Sequence, residues 1–520
     1  MKPKDIIWVT VLTLISPLLT GYYFSVLDHD HYLPYLNKLL NPSLYPNDYY
    51  FSQPHASYSL FNYVPVLLSK ISGLNLAWTH LLLYLLSLWL LYLSVFYLAK
   101  TIYRQSMIGF LAVFLFILPK WAAQIGYMTH HFYFVSRDLS LALSLLALSF
   151  ILRRKFISGL LLILLGAFTN PSIPIPVGLL WLWLMLKKQK KFPLFAFINL
   201  GQNQAWLETL RARGTYSFPH LWRWSGWGNF GLFLSLLGTS WLVLNDKLFS
   251  KYAYVMKLFL KICAGLFLFH FIISAVIPVA DLIQLQLLRS INFIFIISLI
   301  AFSAACCRLV TTGPFFVKLL TLLAISGVYF WGDHLTVWHF AAIWSLPFLL
   351  IVKPQLLRLK PKKFSYLPLF IILVLTGHLL VMLFLIKPKV NLPDYLYYPN
   401  PLVSLAHYDT WQDVQKWAKV NTPVTAVFLI PPDISGFRNF SERSIVGDFK
   451  DGGAVFYSWE YSKLWQDKME ALKSSTQFRE SDFIKIQQQY PFQYLIVSSN
   501  HPALNFQLVY RNRNFLIYKI

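Results

Sequence analysis

Residues 76–99 read LAWTHLLLYLLSLWLLYLSVFYLA, without one charged side chain, and are followed by Lys100 and Arg104. An α-helix crossing a bilayer needs ~20 such residues, because each adds ~1.5 Å and the hydrocarbon core is ~30 Å thick. Lipid offers the backbone no hydrogen-bond partner, so this stretch must satisfy its own peptide groups as a helix. The same reading extends both ways along the chain. Further apolar runs lie near 6–24, 107–119, 138–152, 157–169, 173–186, 228–244, 252–277, 290–306, 314–331, 335–352 and 366–386. The first, Ile6 to Phe24, follows Lys2 and Lys4 and ends in bulky residues with no small-x-small cleavage site, so it reads as an uncleaved first helix.

Composition agrees. Of 520 residues 57% are hydrophobic and only 13% charged, half the ionic share of an ordinary soluble protein. A soluble enzyme, a disordered chain and a disulfide scaffold are excluded, and since all three cysteines lie in or at the end of apolar runs, no cysteine metal site is available in the C-terminal part. The net charge of +24 is unevenly placed. From residue 390 onward there are 13 basic and 12 acidic residues, which leaves 32 basic and 9 acidic residues before that point. Basic clusters between apolar runs mark cytoplasmic loops rather than a nucleic-acid face. The clusters at 100–104, 153–155, 187–191, 247–261, 308–318 and 353–363 all fall on the side of the N-terminus. Asp28, Asp30, Asp48, Asp138, Asp281 and Asp333 fall on the other.

Two successive cytoplasmic clusters, 187–191 and 247–261, require an additional crossing between 192 and 227. The expected fold is therefore mainly α: a polytopic membrane protein of about thirteen spans over 1–389, with a first outer loop at 25–75. Residues 390–520 differ in kind. Asp409 to Val420 is amphipathic, with Trp411, Val414, Trp417 and Ala418 on one face. Val424 to Ile430 reads as a buried strand, 460–473 as a helix, Tyr494 to Val497 as a strand, and Gln507–Tyr510 with Phe515–Tyr518 as a hairpin. That alternation predicts a small extracytoplasmic α/β domain. The N-terminus is expected in the cytoplasm, and the whole as a multi-pass protein of a bacterial inner membrane.

The densest polar constellation is Leu27-Asp28-His29-Asp30-His31-Tyr32, directly after the first helix. Carboxylates there can hold a hard divalent cation or take a proton from an attacking hydroxyl. The plainer alternative is a solvated outer loop. Arg289 opens a span, where a guanidinium binds phosphate bidentately; snorkelling to headgroups, or pairing with Asp281, would place it there equally well. Trp222-Arg223-Trp224 reads as an interfacial aromatic belt, with sugar stacking second. His130-His131, adjacent in sequence, make a poor two-ligand metal set. Arg137 beside Asp138 reads as a structural ion pair. Arg438, Glu442, Arg443, Asp448 and Lys450 form a mixed-charge cluster that reads first as solvated surface, with acceptor contact or docking onto the membrane loops as alternatives.

An N-terminal helix, an Asp-x-Asp motif in a long first outer loop, many helices and an outer C-terminal domain resemble the GT-C glycosyltransferases, which include oligosaccharyltransferase and protein mannosyltransferases. Tyr35-Leu36, Asn41 to Asp48, Arg137-Asp138, Phe168 to Pro171, Phe218 to Trp222, Thr422-Pro423, Phe428 to Pro432 and Phe437 to Lys450 are similar in order and spacing to uncharacterised bacterial GT-C-like membrane proteins with a domain of unassigned function. The resemblance implies inverting transfer of a sugar from a polyprenyl-phosphate donor to an extracytoplasmic acceptor. Asp28 or Asp30 would be the catalytic base or a ligand for Mg or Mn. Arg289, His220, Arg223 and Asp48 would contact substrate, with membrane lipid as the other partner. The Trp-Trp-Asp-Tyr-Gly acceptor motif of oligosaccharyltransferase is absent. A lipid or sugar transporter, and a catalytically silent homologue acting as an assembly partner, are the alternative functions.

Overall fold

The computed structural model describes residues 2–52, 60–126, 128–186, 204–331, 337–352, 366–385, 397–398, 408–456 and 458–520. The basic clusters at 187–191 and 353–363 and residues 192–203 of the inferred crossing lie outside them. The chain is mainly helical and divides into two compact units. One comprises 1–23, 80–202 and 214–402; the other comprises 24–79, 203–213 and 403–520. The units therefore differ from the contiguous division at 389/390, since the first loop clusters with the C-terminal segment.

In the helical unit, five described helices or helical runs are long and apolar enough to cross a membrane: Pro3–Thr20, Leu76–Tyr103, Trp224–Leu244, Ser250–Val276 and Ala280–Thr312. Other apolar helices, among them Ser106–Phe116, Phe156–Thr169, Ile175–Leu186 and Phe315–Tyr329, have only 10–17 residues. Thirteen full-length spans are thus not what the described residues display. Prolines account for two of the short helices. Ser106–Phe116 stops ahead of Pro119, and Phe156–Thr169 stops ahead of Pro171, because the residue before a proline is pushed out of the α region. Ile291–Thr312 is apolar all round and almost wholly buried, as a central helix must be. It packs against Trp224–Leu244, Ser106–Phe116, Phe315–Tyr329 and Ala253–Phe271.

The second unit is built on five strands: β1 (Val427–Leu429), β2 (Ser444–Ile445), β3 (Tyr494–Ser498), β4 (Gln507–Arg511) and β5 (Phe515–Lys519). Their order is β2-β1-β3-β5-β4, with β2, β1 and β3 parallel and β5 antiparallel to both β3 and β4. Side chains alternate across a strand, so each strand feeds two cores. Phe428, Ile496, Phe515 and Ile517 meet Trp411, Val414 and Ala418 of the helix Tyr408–Asn421. Val427, Leu429, Leu495, Val497 and Leu516 meet Leu472, Phe483 and Ile486 of the helices Trp459–Leu472 and Glu480–Gln489 on the opposite face. The result is a three-layer α/β/α sandwich. The described part of the inferred 192–227 crossing includes the polar helix Gln204–Arg213, which packs in this unit. There Trp206 Nε1 donates to the Val455 carbonyl at 2.7 Å, and Thr209 Oγ1 to Gln466 Oε1 at 2.7 Å.

Candidate functional site

The first-loop acids are presented by an abrupt turn. Ser25 and Leu27 both adopt positive φ (64° and 52°), which non-glycine residues rarely do. The His29 ring accepts from the Ser25 amide at 3.0 Å and holds the turn closed. The helix His29–Leu40 then begins, and Asp28 and Asp30 acquire different partners. Asp28 Oδ1 lies 3.1 Å from Lys450 Nζ in a partly exposed ion pair. Asp30 turns toward the segment after β1. Its Oδ2 accepts from Ser435 Oγ at 2.6 Å and its Oδ1 from Asn439 Nδ2 at 2.8 Å. Gly436 sits between these donors with φ +85°, and a Cβ there would lie 2.8 Å from Asp30 Oδ1. Glycine is required twice over, by conformation and by space. Burial pushes the Asp30 carboxyl from the ordinary 3.8 up to about 6, with the hydrogen bonds from Ser435 and Asn439 pulling the other way.

Asp48 has a different task. Arg438 Nε and Nη2 grip its two oxygens at 2.7 and 3.0 Å, while Nη1 and Nη2 grip Asp451 at 2.7 and 2.9 Å. The amides of Tyr50 and Ile445 complete the Asp48 shell at 3.1 and 3.0 Å. All three charged side chains are buried. Burial works against the Arg438 charge, but Asp451 and Asp48 outweigh it and hold the guanidinium protonated. Asp448 is buried beside Asp451, and its carboxyl is driven well up by burial and then by that neighbour. Asp48 is therefore a fastening residue and not an exposed substrate ligand. The mixed-charge cluster read as solvated surface is largely interior: Arg438, Arg443 and Asp448 are buried. Arg443 donates to the carbonyls of Lys419 and Thr422 at 2.7 and 2.6 Å.

The remaining candidates belong to the helical unit. Arg289 lies on the 3-10 turn Leu287–Ser290 and donates from Nη1 to Ser172 Oγ at 3.2 Å. His220 is exposed on the turn Pro219–Leu221. Arg223 is exposed at the start of Trp224–Leu244, its amide donating to Gln124 Oε1 at 2.8 Å. Asp138, expected beside Arg137, receives the His131 amide at 2.8 Å and pairs with its Nδ1 at 2.9 Å. Lys120, which sequence reading passed over, is fully buried and donates to the carbonyls of Leu118 and Tyr329.

A cavity of about 820 Å³ opens beside Asp30. Its wall includes Leu429, Ile430 and Pro431 after β1 and Ser498, Ser499 and Asn500 after β3. This is the carboxyl edge of two parallel strands, where open α/β sheets place their ligands. No sequence signal identified this position, because the cavity is assembled from residues 25–30, 411–440, 475–501 and 513–515. A divalent cation fits the first-loop acids poorly. Asp28 already faces an ammonium group, and each Asp30 oxygen accepts a hydrogen bond. Among the described residues, no three His, Cys, Asp or Glu side chains are grouped as a metal ion would need.

Comparison with known proteins bears on one part of this site. Residues 409–472 are similar to a domain of unknown function, DUF6798. The matched stretch holds Ser435, Arg438, Asn439 and Lys450, whose side chains donate to the first-loop acids, and Asp451, which shares Arg438 with Asp48. No curated protein matches the chain.

Proposed function

We propose that the chain is a membrane glycosyltransferase of the GT-C type, moving a sugar from a polyprenyl phosphate to an extracytoplasmic acceptor. The observation that carries this reading is Asp30: a carboxylate in a cavity wall, fixed by two donors, with its affinity for a proton raised toward neutrality. A general base works best when its pKa approaches the working pH. Asp30 takes the proton of the acceptor hydroxyl as the acceptor oxygen bonds to the anomeric carbon. The sugar–phosphate bond breaks with inversion, and polyprenyl phosphate leaves with the bonding pair. Asp28, paired with Lys450, fixes the turn that presents Asp30. Arg289, in the helical unit, is a separate candidate for holding a lipid phosphate, which a planar guanidinium suits.

The proposed topology has about thirteen crossings, the N-terminus in the cytoplasm of a bacterial inner membrane and the α/β unit outside. The test is release of polyprenyl phosphate from a polyprenyl-phosphate-linked radiolabelled hexose by the purified full chain, with native mass spectrometry for co-purifying lipid. Asp30→Asn should lower release ~10²-fold while lipid retention persists. A wild-type chain that retains no such lipid and releases none overturns the assignment in favour of a silent assembly partner.

Buried Lys120 and the buried His131–Asp138 pair favour a carrier as the second reading, since ionisable groups enclosed in a helical membrane unit mark transport paths. Translocation of the same lipid in proteoliposomes, unchanged by Asp30→Asn, would select it.

A further inference from the structure

The cavity wall contains polar groups that the fold itself does not use. Gln412, on the helix Tyr408–Asn421, is 2% exposed, and neither its amide oxygen nor its amide nitrogen has a hydrogen-bond partner. Its neighbour one turn on, Gln415, is employed: its Oε1 accepts from the Phe440 amide at 3.1 Å. His501, 9% exposed, spends Nδ1 on the Pro502 carbonyl at 2.9 Å and leaves Nε2 without a partner. Both residues line the cavity. A buried polar group with no partner costs about 1–3 kcal/mol, so two in one wall indicate a site completed by something outside the chain.

The chemistry of the wall restricts what that is. Among the described residues its carboxylates are Asp30 and Asp433, and its one full cation, Arg513, is exposed. An anionic group would meet a net negative wall, so the cavity favours a neutral ligand over an anionic one. Ser435, Ser498 and Asn500 add neutral donors and acceptors, and Trp411, Phe440 and Phe515 add aromatic surface. Amides and hydroxyls beside aromatic rings suit a ligand with many hydroxyls and apolar C–H faces. The volume falls within the ~300–1,000 Å³ of small-molecule sites.

We infer that this cavity binds an uncharged carbohydrate, with Gln412 and His501 reading its hydroxyl groups. Assigning that sugar the role of acceptor rests on the transferase function proposed above; the binding itself does not. The experiment is saturation-transfer NMR on the detergent-solubilised full chain with maltose, lactose and chitobiose as probes and glucose 1-phosphate as the anionic arm. At least one neutral disaccharide should receive saturation at its ring protons, and glucose 1-phosphate should receive less. Gln412→Leu should weaken that binding tenfold or more while leaving the melting temperature unchanged or higher, because it removes two unpaired polar atoms from a buried position. His501→Phe provides the second variant, with the same expected loss. Binding that is equal in wild type and both variants, preference for the phosphate, or saturation of none of the three disaccharides overturns the inference. Donor turnover without disaccharide binding would refute the carbohydrate site and leave the transferase standing; disaccharide binding without turnover would do the reverse.

Discussion

Replacing Arg438 by Met tests the fastening at the centre of the α/β unit. The guanidinium makes four hydrogen bonds of 2.7–3.0 Å to Asp48 and Asp451, and all three side chains are at most 7% exposed. Methionine keeps much of the length and loses the charge, leaving two buried carboxylates facing one another. Removing one partner of a buried ion pair typically costs about 3–5 kcal/mol. In a unit of this size each kcal/mol corresponds to about 2–4 °C, so the melting temperature should fall by about 6–20 °C. Arg438→Lys should lie between, because an ammonium cannot fork to two carboxylates at once. The internal control is the exposed pair of Lys419 and Glu442, whose side chains are 49% and 26% exposed. Glu442→Gln should cost under about 1 kcal/mol and shift melting by no more than about 4 °C. The assay is protease susceptibility of the C-terminal segment in the detergent-solubilised full chain, scanned against temperature. Arg438→Met melting within 2 °C of wild type would refute the reasoning, since the pairs would then contribute nothing beyond their own desolvation.

Asp30 supplies a pH dependence of defined sign. Its carboxyl rises from 3.8 to about 6 on folding, so the folded chain binds this proton more tightly. Its contribution to stability is fully present below pH 3.8 and is lost as pH rises through 6; Asp30→Asn should flatten that slope in melting curves, whereas the transfer rate should rise with pH over the same window. Gly436→Ala places a Cβ against Asp30 Oδ1 at positive φ and should destabilise the unit by about 1 kcal/mol or more in the same scan. Arg289→Lys should reduce lipid retention in native mass spectrometry, and unchanged retention would leave the residue a headgroup anchor. Single cysteines at 30, 220 and 450 should react with an impermeant reagent from outside and one at 189 should not; labelling of 450 only after lysis would put the α/β unit in the cytoplasm.

The α/β unit was legible wherever burial has a simple period. The amphipathic stretch Asp409–Val420 is the helix Tyr408–Asn421, the expected helix at 460–473 is Trp459–Leu472, and the terminal hairpin pairs Gln507–Arg511 with Phe515–Lys519. Val424–Ile430 contracts to Val427–Leu429, because Pro423 and Pro431 flank the ladder and neither can donate to it. The helix His29–Leu40 was hidden by its polar first turn and by Pro34, which together read as loop. The buried charges were hidden for another reason. Arg438 finds Asp48 at a separation of 390 positions, and a local window scores each as a solvated ion. Of the site, the first-loop acids stood out by density, while the cavity beside Asp30 depends on distant segments that no spacing rule connects. The apolar runs at 157–169 and 314–331 are the helices Phe156–Thr169 and Phe315–Tyr329, while 290–306 extends to Ile291–Thr312 because Arg308 and the residues around it continue the helix beyond the apolar run.

That same separation has a consequence for biosynthesis. Asp48 emerges from the ribosome 390 residues before Arg438. At roughly 5–20 residues per second, its arginine follows about 20–80 s later. Throughout that interval the nascent first loop carries a carboxylate and apolar side chains such as Tyr45 and Leu36, which are buried in the finished fold, without their C-terminal counterparts. Completion of this unit is therefore a late event in synthesis. A chain cut short before Arg438 would leave the carboxylate of Asp48 permanently without its guanidinium, a substrate for quality-control proteases rather than a shortened but working protein.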